Sequence, residues 1–280
     1  MGVCDSTKTR VVPFMEYMNK DIEKLNKVFS SLVSSPKLTG PILEGKYLFG
    51  DKEAAINPPI SLLKWLVSNP EKLDEQKRKE IMEDTTRESS LLRTKIFNGD
   101  KNTIKEALKH IDEKGYVDKA WYIFEGKTHP DIYIETENEI FIGEAKRTEN
   151  KLTASTKWLS TRDQLIRHID SVVESSKKIY AFFILETPDI YPLHNYEDIE
   201  YYKQSLPHRS EQKIRKIKES YCGFLIWSKI KEQFPDISYR DRINGWKSIK
   251  KVHDLEKAKF FKVLWLLFID TQGMYNISTT

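Results

Sequence analysis

The sequence predicts an α/β protein with a mixed central sheet flanked by helices. Its middle part alternates segments of helical periodicity with short apolar segments, in the order helix–strand–strand–strand–helix–strand. One of these strands, KIYAFFILE (178–186), is apolar along nearly its whole length. Such a run is typical of a strand buried on both faces, and helices on both sides of the sheet would provide that cover.

The composition fits a globular chain. Of 280 residues, 39% are hydrophobic and 31% are charged, which allows one large domain or a core with sizeable additions. The sequence contains no membrane-spanning stretch, signal-peptide pattern, Walker loop, GxSxG or HExxH motif. Its two cysteines, Cys4 and Cys222, are too few and too distant for a zinc cluster. We expect a cytoplasmic protein.

The first hundred residues are predicted to be mostly helical. Apolar periodicity indicates a helix over residues 15–34, followed by an irregular connector rich in proline and glycine over 35–60. A short helix follows and ends before Pro70, and a charged helical segment covers 71–98. A further helix, KNTIKEALKHIDEKG, is closed by Gly115.

The core elements follow directly. The segments predicted as strands are VDKAWYIFEG (117–126), HPDIYIETE (129–137) and EIFIGEAK (139–146). A helix is predicted near 160–177, with Thr161 as its N-cap, and KIYAFFILE follows it. Beyond these lie a basic helix, SEQKIRKIKES, and an apolar segment, YCGFLIWSKI. The predicted division is a helical extension (1–80), a core (81–190) and a mainly helical basic region (191–280).

Two carboxylates are predicted to meet on the second and third of these strands. If Glu137-Asn138 is a two-residue hairpin loop, residues whose numbers sum to 275 lie opposite each other, and Asp131 then faces Glu144. Lys146 shares the face of Glu144 because strand side chains alternate. Scattered surface charges are the alternative explanation, but these strands are strongly apolar on both faces, and buried carboxylates need partners.

A divalent cation between the two carboxylates would relieve their repulsion. Mg²⁺ prefers oxygen ligands and is commonly held by one or two carboxylates together with water and phosphate oxygens. It can polarise a phosphate and lower the pKa of a bound water, while a neighbouring ammonium stabilises developing negative charge. Asp131, Glu144 and Lys146 therefore predict a phosphodiesterase centre.

Pro130-Asp131 followed by Glu144-Ala145-Lys146 resembles the signature of the PD-(D/E)XK nuclease superfamily. The resemblance covers residues 86–186 and implies a restriction-endonuclease-like core of order α-β-β-β-α-β. It also implies a Mg²⁺-dependent DNA endonuclease of restriction or defence type, in which Mn²⁺ can substitute and the Ala145 carbonyl joins the two carboxylates as a metal ligand.

The same resemblance suggests two assisting residues. Many members carry a metal-binding Glu on the helix before the strands, and Glu88 is the best match, although an additional helix separates it from the first strand. Some carry a Gln on the helix after the Lys strand, often followed four residues later by Tyr. Gln164 and His168 occupy those positions. Alternatively, Glu88 is one of several exposed acids and Gln164 is a capping residue.

Charge distribution favours a nucleic-acid partner, with DNA favoured over RNA by the family resemblance. Residues 201–262 carry 16 Lys and Arg against 7 Asp and Glu. The predicted phosphate contacts, for which solvated surface charge is the alternative, are Lys151, Lys157, Arg162, His208, Arg209, Lys213, Arg215 and Lys216. Homodimer formation is left open as an alternative to a monomer, because enzymes that cut duplex DNA often dimerise so that each strand meets one active site. The competing functions are a nucleic-acid-binding protein without catalysis and an interaction protein whose hairpin charges form only ion pairs.

Overall fold

The central element is a five-stranded mixed sheet with strands in the order β1-β2-β3-β4-β5. A computed structural model describes residues 5–148, 152–153 and 155–241. The strands are β1 (Tyr47–Phe49), β2 (Ile132–Glu135), β3 (Glu139–Lys146), β4 (Lys178–Leu185) and β5 (Tyr221–Ile226). β2 runs antiparallel to both of its neighbours, β1 and β3, whereas β3, β4 and β5 run parallel. The predicted α/β class with a mixed sheet is confirmed.

Helices account for a large part of the remaining described chain. They are α1 (Val12–Met18), α2 (Ile22–Phe29), α3 (Ile60–Ser68), α4 (Glu75–Met82), α5 (Glu88–Phe97), α6 (Lys101–Lys114), α7 (Gln164–Val172), α8 (Ile199–Ser205), α9 (Glu211–Glu219) and α10 (Trp227–Gln233). A π-helical turn, Thr7–Val11, leads directly into α1. No helix in the described part of the chain is long and apolar enough to cross a bilayer.

Helices cover both faces of the sheet because strand side chains alternate between the faces. On one face, Ile132, Ile134 and Phe141 pack in a cluster with residues of α1, α2 and α10. On the other, Tyr133 and Ile142 pack with residues of α7, α8 and α9. The continuous apolar pattern of β4 has the same cause, since its side chains enter both clusters.

The hairpin between β2 and β3 has the predicted register. Ile132 lies opposite Gly143 and Glu135 lies opposite Ile140, so every pair sums to 275. The Thr136 amide donates to the Glu139 carbonyl across the loop, at 2.9 Å. Extended by one residue beyond β2, this register brings Asp131 to the level of Glu144.

The predicted strand at 117–126 is wrong: this segment forms turns. The Arg93 guanidinium donates hydrogen bonds to the backbone carbonyls of Ala120, Trp121 and Ile123, at 2.8–3.3 Å. These carbonyls therefore bond to a side chain and not to a neighbouring strand. The apolar residues that suggested a strand are buried in a separate helical cluster. β1 pairs with β2 instead, and it comes from the segment predicted to be an irregular connector.

That separate cluster is built mainly by the chain between β1 and β2, with a contribution from the segment after β3. Leu62 and Leu66 of α3, Ile96 of α5 and Ala107 of α6 pack together with Trp158. Gly115 closes α6 with a positive φ of 65°, as predicted from the glycine. The sheet is thus interrupted in sequence by a helical unit.

Helix α7 is shorter than predicted. It covers Gln164–Val172, and its N-cap is Asp163, whose carboxylate accepts from the Ile166 amide at 2.9 Å. The Thr161 hydroxyl donates instead to the Gln204 carbonyl. The basic helix SEQKIRKIKES is confirmed as α9. Residues 242–280 lie outside the described residues, and so does that part of the predicted basic region (191–280).

Candidate active site

The β2–β3 hairpin brings Asp131, Glu144 and Lys146 to one place. The Asp131 Oδ2 atom accepts a hydrogen bond of 2.8 Å from the Ala145 amide, which lies between the other two residues. Lys146 Nζ donates to Glu144 Oε1 at 2.7 Å. Glu144 is 2% exposed and Lys146 is 8% exposed, whereas Asp131 is half-buried, so the ammonium and one of the two carboxylates are largely excluded from water.

The second oxygen of Glu144 contacts helix α7. His168 Nε2 lies 3.1 Å from Glu144 Oε2, and His168 Nδ1 lies 2.5 Å from the Thr128 hydroxyl. Burial and the nearby Arg167 guanidinium lower the pKa of His168 to about 3, so the ring is neutral near pH 7. The four-residue spacing predicts that His168 lies on the same side of the helix as Gln164. It does not predict that His168 contacts Glu144.

Asp131 is anchored from the N-terminal side of the chain as well. Its Oδ1 atom accepts a hydrogen bond of 2.8 Å from the Thr7 hydroxyl. Thr7 begins the π-helical turn before α1, a geometry that is frequent at functional sites. Burial and the neighbouring Glu144 carboxylate raise the pKa of Asp131 to about 7. The two acidic groups therefore crowd negative charge into a site of low polarity.

A third carboxylate, Glu53, lies within electrostatic range of this pair. Burial raises the pKa of Glu53 to about 7, and the charges of Asp131 and Glu144 contribute to that rise. Its position is fixed by its neighbours: Ala54 is buried against the sheet, and Ile56 pairs with Thr128. Sequence reasoning missed Glu53, because it lies in an irregular segment that is 78 residues from Asp131 and carries no motif.

The carboxylates are suited to a hard divalent cation. Glu144 and Asp131 supply oxygen donors from the two sides of the hairpin, and the charge of Glu144 contributes to the raised pKa of Asp131. Mg²⁺ keeps several waters and is commonly held by one or two protein carboxylates, which is the number this hairpin offers. Within residues 5–148, 152–153 and 155–241, no three Asp, Glu, His or Cys side chains converge closely enough to form a metal cluster.

Glu88 is not brought to this site. It is exposed in the first turn of α5, and that helix packs in the helical cluster formed with α3 and α6. Gln164 is the first residue of α7 and is half-buried, one turn before His168. Its backbone amide donates to the Thr153 carbonyl at 2.9 Å. A substrate or metal role for the Gln164 side chain stays a prediction.

Three of the predicted phosphate contacts are instead parts of a buried ion network. Arg162 Nη2, Arg209 Nε and His208 Nε2 lie 2.6, 2.6 and 3.1 Å from the carboxylate of Asp170. Arg162 also pairs with the buried Glu125 at 3.3 Å. Although burial alone would raise it, the pKa of Asp170 is held well below its usual range by Arg162 and its other cationic neighbours. These side chains are buried and already paired, which leaves them unavailable to a phosphate.

The other predicted phosphate contacts remain at the surface or lie outside the description. Lys213 pairs with Glu174, and Arg215 pairs with Glu211 on the same helix. Lys216 is exposed on α9, and Lys157 is exposed with its ammonium 5.5 Å from the Trp158 ring centre. Lys151 lies outside the described residues. Nucleic-acid contact by these residues stays a prediction.

Comparison of the chain with protein-family models, with curated proteins and with solved structures finds no significant match. Functional inference therefore depends on the site.

Proposed function

We propose that this chain is a metal-dependent nuclease of the PD-(D/E)XK type that hydrolyses phosphodiester bonds in DNA. The observation that carries the proposal is the meeting of Asp131, Glu144 and Lys146 on one hairpin, with the Ala145 amide bonded to Asp131 at 2.8 Å. Two carboxylates and an ammonium at one buried point are the groups that a metal-assisted phosphodiester hydrolysis requires.

The order of elements supports a restriction-endonuclease-like core. When the helical unit over 60–114 is treated as an insertion, the chain runs α1–α2, β1, β2, β3, α7, β4, which is the order α-β-β-β-α-β. On this proposal the core begins with the N-terminal helices and not near residue 86. Glu88 does not take the place of the Glu that the family carries on its first helix, whereas Glu53 lies within electrostatic range of Asp131 and Glu144.

In the proposed mechanism, Asp131 and Glu144 would hold Mg²⁺ together with the Ala145 carbonyl, and Glu53 would add negative charge nearby. When bound, the ion would supply Lewis-acid polarisation of the phosphate and a water of lowered pKa. Lys146 would orient the attacking water and stabilise negative charge as it develops on the phosphate. The low exposure of Glu144 and Lys146 strengthens these charge interactions, because water screens them poorly there.

A second candidate is a nucleic-acid-binding protein that keeps this architecture with little or no catalysis. The direct ion pair between Lys146 and Glu144, at 2.7 Å, favours it, since the ammonium then neutralises a carboxylate that a metal would otherwise use. The basic surface of α9 could serve binding alone.

One substrate panel separates the two candidates. The protein is incubated with plasmid DNA, single-stranded DNA and RNA in Mg²⁺, Mn²⁺ or EDTA, beside Lys146→Ala, Asp131→Asn and the surface control Lys79→Ala. The nuclease proposal expects metal-dependent cleavage that falls about 10²–10³-fold in the two site variants and is unchanged in the control. Cleavage that survives in EDTA or in Lys146→Ala would contradict the proposal, and binding without cleavage would favour the second candidate.

A further inference from the structure

The loop that leads into β2 is fastened to helix α7. Arg167 of that helix donates from Nη2 to the carbonyls of Gly126 and Lys127, at 2.9 and 2.7 Å. The next residue of the loop and the next residue of the helix also meet: His168 Nδ1 lies 2.5 Å from the Thr128 hydroxyl. Asp131 follows three residues after Thr128, so α7 holds the segment that delivers this carboxylate.

Thr128 also joins the segment that carries Glu53. Its amide and carbonyl exchange hydrogen bonds of 2.9 and 3.0 Å with Ile56, three residues beyond Glu53. His168 meanwhile reaches Glu144 through its other ring nitrogen. The Thr128–His168 pair is therefore the point at which the segments bearing all three carboxylates are connected.

The geometry around the His168 ring sets which nitrogen faces which partner. A carboxylate can only accept, whereas a hydroxyl can donate or accept, so the nitrogen that faces Glu144, Nε2, carries the hydrogen of that bond. Nδ1 faces the Thr128 hydroxyl, which can pair with the ring and hold its orientation. Thr128 is 2% exposed and His168 is 1% exposed, so water does not compete for these bonds.

We propose that His168 is a positioning residue: its Nε2–H orients the Glu144 carboxylate, and the Thr128 hydroxyl holds the ring in the orientation that allows this bond. The effect on metal binding rests on the proposed function, whereas the ring orientation and the hydrogen bond do not. Partners that orient a metal-binding group typically contribute 10–100-fold to metal affinity.

Two amide substitutions separate positioning from space-filling. In His168→Gln the side-chain nitrogen can take the place of Nε2 and still donate to Glu144, whereas His168→Asn reaches only the position of Nδ1 and loses Glu144. Titration calorimetry with Mn²⁺ alone is expected to give binding close to that of the unmodified protein for His168→Gln. For His168→Asn it is expected to be about 10–100-fold weaker. Equal weakening of both variants, or of neither, would overturn the proposal.

A nitrogen NMR experiment tests the tautomer without any metal. Protein labelled with ¹⁵N-histidine, in EDTA at pH 7, should show His168 with a protonated Nε2, the signal being assigned by its absence in His168→Gln. An unprotonated Nε2 in the unmodified protein would overturn the proposal. If the unmodified protein binds no Mn²⁺, the metal centre of the proposed function fails, and the NMR result alone supports or overturns the orienting bond.

Discussion

Replacing Asp131 by Asn should change how the stability of the metal-free protein depends on pH. Burial beside Glu144 raises the pKa of Asp131 from 3.8 to about 7. Because the pKa is raised in the folded state, this carboxyl group does not lower the free energy of unfolding at a pH below its ordinary pKa of 3.8. The free energy of unfolding falls as the pH rises from there towards 7. A shift of about three pKa units corresponds to about 4 kcal/mol, since each unit is worth about 1.4 kcal/mol.

Roughly 2–3 kcal/mol of this cost should develop between pH 5 and pH 8. Asn keeps the shape of Asp131 and can still accept from the Ala145 amide, but it carries no charge at any pH. Urea unfolding in EDTA should therefore show that Asp131→Asn loses less stability than the unmodified protein over this interval. The exposed Asp51→Asn provides the same chemical change at the surface. Parallel stability profiles for the unmodified protein and Asp131→Asn would refute the assignment of crowded charge to this site.

Two other predictions concern the fold. Asp170→Asn should lower the free energy of unfolding by about 3–5 kcal/mol, because Arg162 and Arg209 would keep buried charge without its main partner; a loss below about 1 kcal/mol in urea unfolding would argue against a structural role for the network. Gly143→Ala should cost about 1–3 kcal/mol, because a Cβ there would lie 3.0 Å from the Phe182 ring and 3.1 Å from Ile132 Cβ. Gly126→Ala is its control, since a Cβ at Gly126 meets nothing within 4 Å, and equal melting temperatures for the two variants would contradict the close packing at Gly143.

Local sequence patterns were sufficient to predict the hairpin and the meeting of its charged residues. Strand alternation and a two-residue loop fix the register, and the register alone brings Asp131 to Glu144 and turns Lys146 to the same face. Helices α3, α6 and α9 were equally predictable from the sequence, because their apolar spacing and the residues that end them lie within the segments themselves.

What the sequence did not reveal depends on contacts between distant segments. The segment 117–126 has the composition of a strand, but the Arg93 side chain occupies its carbonyls from 27–30 residues away. Arg162 and Arg209 resembled phosphate ligands by charge, yet Asp170 and Glu174 already hold them. Thr7 contacts Asp131, and Glu53 comes within its electrostatic range, only because the segments before β2 fold against the hairpin. No local pattern marks such residues.

The most direct test of the central claim is to locate the metal itself, since this needs no knowledge of the substrate. Fe²⁺ can be loaded in place of Mg²⁺, because it accepts similar oxygen ligands, and ascorbate with peroxide then generates radicals that cut the polypeptide near the ion. The carboxylate centre predicts fragments ending near Asp131 and near Glu144–Lys146, with weaker cutting near Glu53, all suppressed by excess Mg²⁺ and absent in Asp131→Asn. Cutting elsewhere, or cutting at these positions that Mg²⁺ does not suppress, would contradict it.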